Sequence, residues 1–490
     1  MKQSTEYLEV SRSNAIFGGV KVLQMIVSFM RTKIVAIFLG PSGIGILSLL
    51  DNMINTIYNF TNLGIAQSGV RTIAIEKDNS GKLEASRIIE ILSFILGAGA
   101  AILCFLFSSI ISLWVFGDST HKTSIQIVSI AILFISQQNG QIALFQGYHA
   151  VKALAVASLF ASIAMFSVTV PFLFCGGESS IPYIIVCSYG AGALVLFLFR
   201  LRNLPLWKKM ELRNSLKSSK PTISLGVALM LSNSLMSVFL LLLNSLINRI
   251  GSSEDVGLYQ AANTCTYVAI TILISILSAD FYPRISSAAG DVTKVGALLS
   301  AQVELLILIL VPVVFSMVLF PNFYVLIFYS NSFLSAVDAV RLMGISLLFR
   351  IIWHSYSYII LSQGDKVVYF FCDALIGNGL FFLGNLLGYV QSGILGIALS
   401  YVVLSFIIML FLGTIVKVKY KVSLNSQVVV RVFSLICISV AFYFIVYFKL
   451  GDIYIHLPLF CIVACYCLRL YNIHTNMFTV LRERIWKLRK

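Results

Sequence analysis

The chain has 490 residues, of which 59% are hydrophobic and only 11% charged, and its mean hydropathy is +0.93. A soluble chain carries about a quarter charged residues, so a soluble globular fold is excluded. The net charge of +15 is explained by basic residues placed beside anionic headgroups and calls for no nucleic acid. Apolar runs longer than about 18 residues recur from end to end, each able to cross a hydrocarbon core ~30 Å thick. Backbone polar groups in that medium find no water, so the spans are helices or a closed barrel. Continuous runs, rather than ten-residue alternation, select helices. The predicted class is an all-α polytopic membrane protein of about 14 transmembrane helices.

In chain order the predicted spans cover 14–39, 44–70, 88–114, 123–147, 153–175, 181–200, 223–248, 257–282, 297–320, 337–361, 367–389, 393–416, 429–448 and 453–470. Turn signals separate them: Gly40-Pro41-Ser42-Gly43, Gly117-Asp118-Ser119, Gly176-Gly177-Glu178-Ser179 and Ser362-Gln363-Gly364-Asp365. The first span lacks a cleavage-site pattern and carries Lys21, Arg31 and Lys33, which argues against a secretory signal. With the N-terminus inside, and with the span ends at Arg200, Arg431 and Arg469 counted with the loops they adjoin, 27 of the 35 basic residues fall in the inside segments 1–13, 71–87, 148–152, 200–222, 283–296, 362–366, 417–431 and 469–490. Only 3 fall in outside loops, and 5 (Lys21, Arg31, Lys33, Arg341 and Arg350) lie within spans. That asymmetry predicts cytoplasmic N- and C-termini.

The basic run from Arg200 through Lys208, Lys209, Arg213, Lys217 and Lys220 follows the sixth span. It divides the chain into an N-terminal six-helix lobe (1–200), a cytoplasmic linker (201–222), a C-terminal six-helix lobe (223–417) and two extra helices with a basic tail (418–490). A weak internal repeat supports the division. Pro41-Ser42-Gly43-Ile44-Gly45 opens span 2 with Arg71 following, and Glu254-Asp255-Val256-Gly257 opens span 8 with Arg284 following. Both halves start inside, so the predicted lobes are related by a pseudo-twofold along the membrane normal.

Several functions are disfavoured by what the sequence lacks. It has no G-x-x-x-x-G-K-[ST] motif and no loop large enough for a nucleotide-binding domain. The longest outside segment, 321–336, has no Asp-x-Asp and no metal-spaced His/Cys cluster, so a membrane glycosyltransferase or polymerase is the weaker hypothesis. Cys461, Cys465 and Cys467 have no His or carboxylate beside them in the interior of their span and read as small apolar residues. No enzyme activity, cofactor or metal site is expected.

Polarity inside spans is costly and marks a cavity or a partner. At 100° per residue, Asn14, Lys21, Gln24, Ser28, Arg31 and Thr32 share one side of span 1. Ser48, Asp51, Asn55, Asn59 and Asn62 share a face of span 2, Asn233, Ser237, Asn244 and Asn248 one of span 7, and Gln260, Asn263, Thr264, Tyr267 and Thr271 one of span 8. Spans 3 to 6 show weaker stripes. The competing structural reading is interhelical hydrogen bonding, worth about 0.6 kcal/mol each. Four stripes at repeat-related positions favour a hydrated cleft.

The stretches Gly40-Pro-Ser-Gly-Ile-Gly-Ile-Leu47, Leu63-Gly-Ile-Ala-Gln-Ser-Gly-Val-Arg71, Asp255-Val-Gly-Leu-Tyr-Gln-Ala-Ala262 and Ala279-Asp-Phe-Tyr-Pro-Arg-Ile-Ser286 resemble the multidrug/oligosaccharidyl-lipid/polysaccharide exporter superfamily. Within it they resemble the O-antigen (Wzx-type) flippases, over roughly residues 10–417. The resemblance implies two six-helix lobes, a V-shaped cavity lined by helices 1, 2, 7 and 8, and alternating access. It implies cation-driven outward movement of a polyprenyl-diphosphate-linked oligosaccharide across the bacterial cytoplasmic (inner) membrane. The lipid-linked oligosaccharide and membrane lipids are then the partners, with a polysaccharide polymerase and chain-length proteins as further candidates. Peptidoglycan-precursor flippases of the superfamily carry several cavity arginines. Here the predicted cavity face of span 1 offers Lys21 and Arg31, and span 8 offers none.

Roles follow from chemistry. A diphosphate in a low-dielectric cavity needs cationic hosts, here Lys21 and Arg31, about 15 Å apart at 1.5 Å per residue. Gln24, Ser28, Asn55, Asn59, Asn233, Asn244, Gln260, Asn263 and Tyr267 are the candidate hydrogen-bonding partners for sugars. Asp51, Glu304 and Asp373 are candidates for the coupling ion, the alternative for Asp51 being neutralisation of a basic residue in span 1. Arg350 and His354, one turn apart, form either a structural pair with Glu304 or a proton relay. Two other function classes stay open: a drug/cation antiporter of the same superfamily, and a membrane enzyme of envelope polysaccharide assembly.

Overall fold

The computed structural model describes residues 2–62, 64–76, 78–205, 220–276, 281–288, 290–448 and 453–475. Among them every regular element is helical: α1 (Lys2–Thr61), α2 (Ile65–Ile75), α3 (Asn79–Leu106), α4 (Ser108–Val115), α5 (Lys122–Gly147), α6 (Val151–Gly176), α7 (Ile181–Asn203), α8 (Lys220–Ile250), α9 (Ser253–Ile276), α10 (Tyr282–Ser287), α11 (Val292–Leu319), α12 (Pro321–Phe328), α13 (Val337–Ser362), α14 (Asn378–Tyr420), α15 (Ser426–Tyr447) and α16 (Ile453–Thr475). A π-helical stretch, Tyr369–Gly377, precedes α14. Among the described residues nine helical stretches are long and apolar enough to cross a membrane. Two of them, Leu23–Thr61 and Tyr369–Tyr420, are each broken once and correspond to two predicted spans apiece.

The break in α1 falls at the Gly40-Pro41 signal. Gly40 has φ 63° and ψ −170°, a conformation open to glycine alone, and Pro41 restarts the helix at a position where its missing N–H costs nothing. The predicted span 44–70 is shorter than expected. Asn62 Oδ1 accepts the Gly64 N–H at 2.6 Å, and this Asx turn ends α1 at Thr61. In the other direction, α3 begins at Asn79 rather than near 88, because the polar turns 79–87 carry the helix past the apolar run.

The chain packs as two compact units, Met1–Gly257 with Phe328–Ser330, and Leu258–Ile327 with Asn331–Lys490. In the first, α3 and α5 meet through small residues. Ser136 Oγ donates to the Ser93 carbonyl at 2.7 Å, and a Cβ on Gly97 or Gly140 would lie 2.7 or 2.6 Å from Ser136 or Ser93. Close backbone approach of this kind holds helices together in lipid, where apolar burial drives nothing. A buried ion pair, Arg200 to Glu90 at 2.8 Å, ties α7 to α3.

The glycines of the sequence repeat also sit at a crossing within this unit. A Cβ on Gly45 would lie 1.8 Å from the Ser253 carbonyl oxygen, and one on Gly257 1.9 Å from that of Pro41. The start of α1's second half and the first turn of α9 therefore touch backbone to backbone.

In the second unit α11 is central, with α13, α15 and α16 packed against it. Val303, Leu306, Leu310, Val314 and Phe315 of α11 are buried with Leu347, Leu348 and Ile351 of α13. Phe315 stacks on Phe442 of α15 at 4.4 Å, so the last two helices rest on α11. Of the basic segment 201–222, residues 206–219 lie outside the described residues.

Candidate functional site

Arg31 is held by α6 and α7 of the first unit. Its Nε donates to Thr169 Oγ1 at 3.1 Å and its Nη2 to Ser188 Oγ at 3.3 Å. Those two hydroxyls lie 3.1 Å apart. The next residue of α7, Tyr189, donates its hydroxyl to Asp51 Oδ1 at 2.7 Å. Asn55, one turn beyond Asp51, donates to the Asp51 backbone carbonyl at 2.8 Å. Arg31 and Asp51 thus lie close enough to interact electrostatically, yet each is anchored by hydroxyls rather than by the other. Neutral partners leave the guanidinium's charge available, and Nη1 keeps no protein partner among the described residues. Gln24 is half-buried and Ser28 exposed, and Ser28 Oγ donates to the Gln24 carbonyl at 2.9 Å. Both lie on the side of α1 that carries Arg31.

The stripes of predicted spans 2 and 7 close on each other. Asn59 donates to Ser237 Oγ at 2.6 Å, Ser234 donates to the Asn59 carbonyl at 3.0 Å, and Thr56 reaches the Ser237 carbonyl at 3.2 Å. Asn59 therefore takes part in a polar seam between α1 and α8, apart from the Arg31 cluster. Further along, Ser245 caps the Trp114 and Val115 carbonyls at the end of α4, each at 2.8 Å. Asn244 is fully buried in α8, and neither of its side-chain polar atoms has a partner among the described residues.

In the second unit, Asn263 accepts from the Tyr401 hydroxyl at 3.4 Å. Gln260 is half-buried, its Oε1 without a partner among the described residues, and Tyr267 is exposed. Glu304 is buried and ion-paired with Arg431 of α15. This corrects the expected pairing of Glu304 with Arg350: the carboxylate of α11 is turned to the appended helix packed on it. At the end of α14, Lys419 and Tyr420 clasp Asp365. Bonds from Lys419, the Val368 N–H and the Tyr420 hydroxyl hold the Asp365 carboxyl below the usual carboxylate range. The side chains of Lys21, Asn233 and Asp373 lie outside the described residues.

Sequence reasoning missed Thr169, Ser188 and Tyr189. They lie in spans 5 and 6, whose polar stripes are weaker than those of spans 1, 2, 7 and 8.

The sequence profile of a family described as "Polysaccharide biosynthesis protein" matches residues 34–338. No curated protein matches the chain in sequence. Solved structures share its fold. An inward-facing multidrug resistance MATE family transporter of the MOP superfamily superposes with a TM-score of 0.67 at 16% identity, covering 84% of this chain and 95% of that one. The lipid II flippase MurJ in an inward closed conformation gives 0.61 at 15% identity, covering 96% and 100%. A MOP superfamily transporter from Pyrococcus furiosus, whose title reports a binding pocket of reversed polarity, gives 0.55 at 17% identity, covering 87% and 95%. The profile spans more than half of the chain, and the all-helical fold is shared with these solved structures: this multi-pass membrane protein belongs to the polysaccharide biosynthesis protein family.

Proposed function

We propose that the protein flips a polyprenyl-diphosphate-linked oligosaccharide, an O-antigen or related surface-polysaccharide repeat unit, from the inner to the outer leaflet of the bacterial cytoplasmic membrane. The carrying observation is Arg31, a membrane-embedded guanidinium held by the neutral hydroxyls of Thr169 and Ser188. A cation so held remains free to host a phosphate, because its charge is not consumed by an ion pair. A site for cationic drugs calls for the opposite polarity. Membership of a polysaccharide biosynthesis family and a fold shared with a lipid II flippase support the same cargo class. Alternating access and cation coupling complete the proposal, with Asp51 as the coupling carboxylate because it stands beside Arg31 on Tyr189. Glu304 is the poorer candidate, being engaged by Arg431.

Deletion of the gene tests this. Surface polysaccharide should be lost and its lipid-linked repeat unit should accumulate on the inner leaflet, with drug sensitivities unchanged. Normal polysaccharide together with raised sensitivity to cationic dyes would transfer the protein to the multidrug class.

A further inference from the structure

The second unit contains a basic residue that the proposed function leaves unused. Arg350 lies in α13 and is half-buried. Among the described residues no side chain forms an ion pair or hydrogen bond with it, and its Nε is buried without an acceptor. The carboxylate nominated for it from sequence, Glu304, is taken by Arg431. What surrounds Arg350 is aromatic. Its guanidinium carbon stands 5.7 Å from the ring centroids of both Phe381 and Tyr401, which pack edge to face at 4.5 Å. The Tyr401 hydroxyl lies 2.9 Å from that of Tyr259. One turn along α13, on the same face, His354 stacks on Trp353 with centroids 5.3 Å apart, and its Nε2 is buried without a partner among the described residues.

We propose that Arg350 and His354, framed by Tyr259, Phe381 and Tyr401, form a binding site for an oxyanion. A guanidinium cannot shed its proton to escape burial. The two rings stabilise its charge through their π-faces but offer its N–H groups no acceptor. The unmet Arg350 donor, with His354 Nε2 beside it able to donate in its Nε2–H tautomer, calls for a partner with more than one acceptor oxygen. The fork geometry of arginine matches a carboxylate or a phosphate. The cargo class rests on the flippase reading. Within it, the oxyanion is either a phosphate of the lipid diphosphate or the carboxylate of an acidic sugar.

Trp353 supplies the reporter. A variant keeping it as the sole tryptophan, with Trp114, Trp207 and Trp486 changed to Phe, is reconstituted in lipid nanodiscs and titrated at constant ionic strength. Inorganic diphosphate and glucuronate are the two probes, and sodium chloride is the control. A saturable fluorescence change is expected with one of them, weakened at least tenfold by Arg350→Gln and severalfold by His354→Ala. A response to diphosphate alone assigns the phosphate, and one to glucuronate alone assigns the acidic sugar. Absence of a saturable response to either probe in the parent overturns the site, as does a response that survives Arg350→Gln. Should Arg350→Gln fail to insert, the parent titration and His354→Ala still decide. Binding does not depend on flipping. Intact binding in a protein whose deletion leaves surface polysaccharide normal would refute the flippase reading alone, and lost polysaccharide without binding would remove only the site.

Discussion

The crossing of α1 and α9 makes a sharp prediction about two glycines. Replacing Gly45 by Ala places a methyl 1.8 Å from the Ser253 carbonyl oxygen, and replacing Gly257 places one 1.9 Å from that of Pro41. A carbon needs about 3.3 Å from such an oxygen, so each helix must withdraw by about 1.4–1.5 Å. The obstacle in both cases is backbone, which no rotamer change relieves. Overpacking of this kind costs about 1–3 kcal/mol or more. The measurement is the thermal midpoint of detergent-purified protein, with Gly99→Ala as control, since a methyl there meets nothing within 4 Å. That control should be neutral or stabilising by about 0.5–1 kcal/mol, the gain from removing a helix-interior glycine. One separation relieves both clashes, so Gly45→Ala with Gly257→Ala should cost less than the sum of the singles. If Gly45→Ala melts with Gly99→Ala, the backbone crossing is wrong.

Arg31 is anchored by hydroxyls and not by Asp51, so Arg31→Ala and Asp51→Ala should each cut surface polysaccharide, and the double change should not rescue it. Recovery in the double mutant would reduce Arg31 to a counter-ion. Arg31→Lys should also lose function, because an ammonium cannot reproduce the fork to Thr169 and Ser188. Glu304→Gln should lower folded yield, and exchanging charges as Glu304→Arg with Arg431→Glu should restore both yield and transport. A swapped protein that folds but does not transport would return Glu304 to the coupling-ion candidates. Reporter fusions at Ser218 and Arg489 should read cytoplasmic and one at Ser179 external; an external reading at Arg489 would require the last two spans to be redrawn.

Much of this was legible in the sequence because lipid leaves the backbone few options. The apolar runs required helices, and Gly40-Pro41 marked the break in α1 to the residue. The polar stripe on span 1 includes Arg31, which the hydroxyls of α6 and α7 hold. Less legible was what each polar group faces. Periodicity reports which residues share a side of one helix and says nothing of the neighbour. Asn59 looked like a cavity residue and meets Ser237 in a seam. Arg431 was counted among loop cations and is the partner of Glu304. Tyr189 carries the bond to Asp51 from one of the spans whose polar stripe is weaker.

That seam between α1 and α8 also bears on the order in which the chain is made. Thr56 and its partner Ser237 are 181 residues apart in sequence. At ~5–20 residues per second, α1 waits roughly 10–35 s before α8 exists. During that interval its hydroxyls sit where an unmet donor is penalised. The helix carries its own interim solution, since Thr56 bonds the Asn52 carbonyl at 2.7 Å and Thr61 the Ile57 carbonyl at 2.9 Å. Among the described residues Asn59 makes no bond of that kind, its amide going to Ser237. With the amide nitrogen of Asn52, unpartnered among the described residues, it is one of the groups through which a nascent, half-made protein is open to capture by the insertion machinery or by another chain.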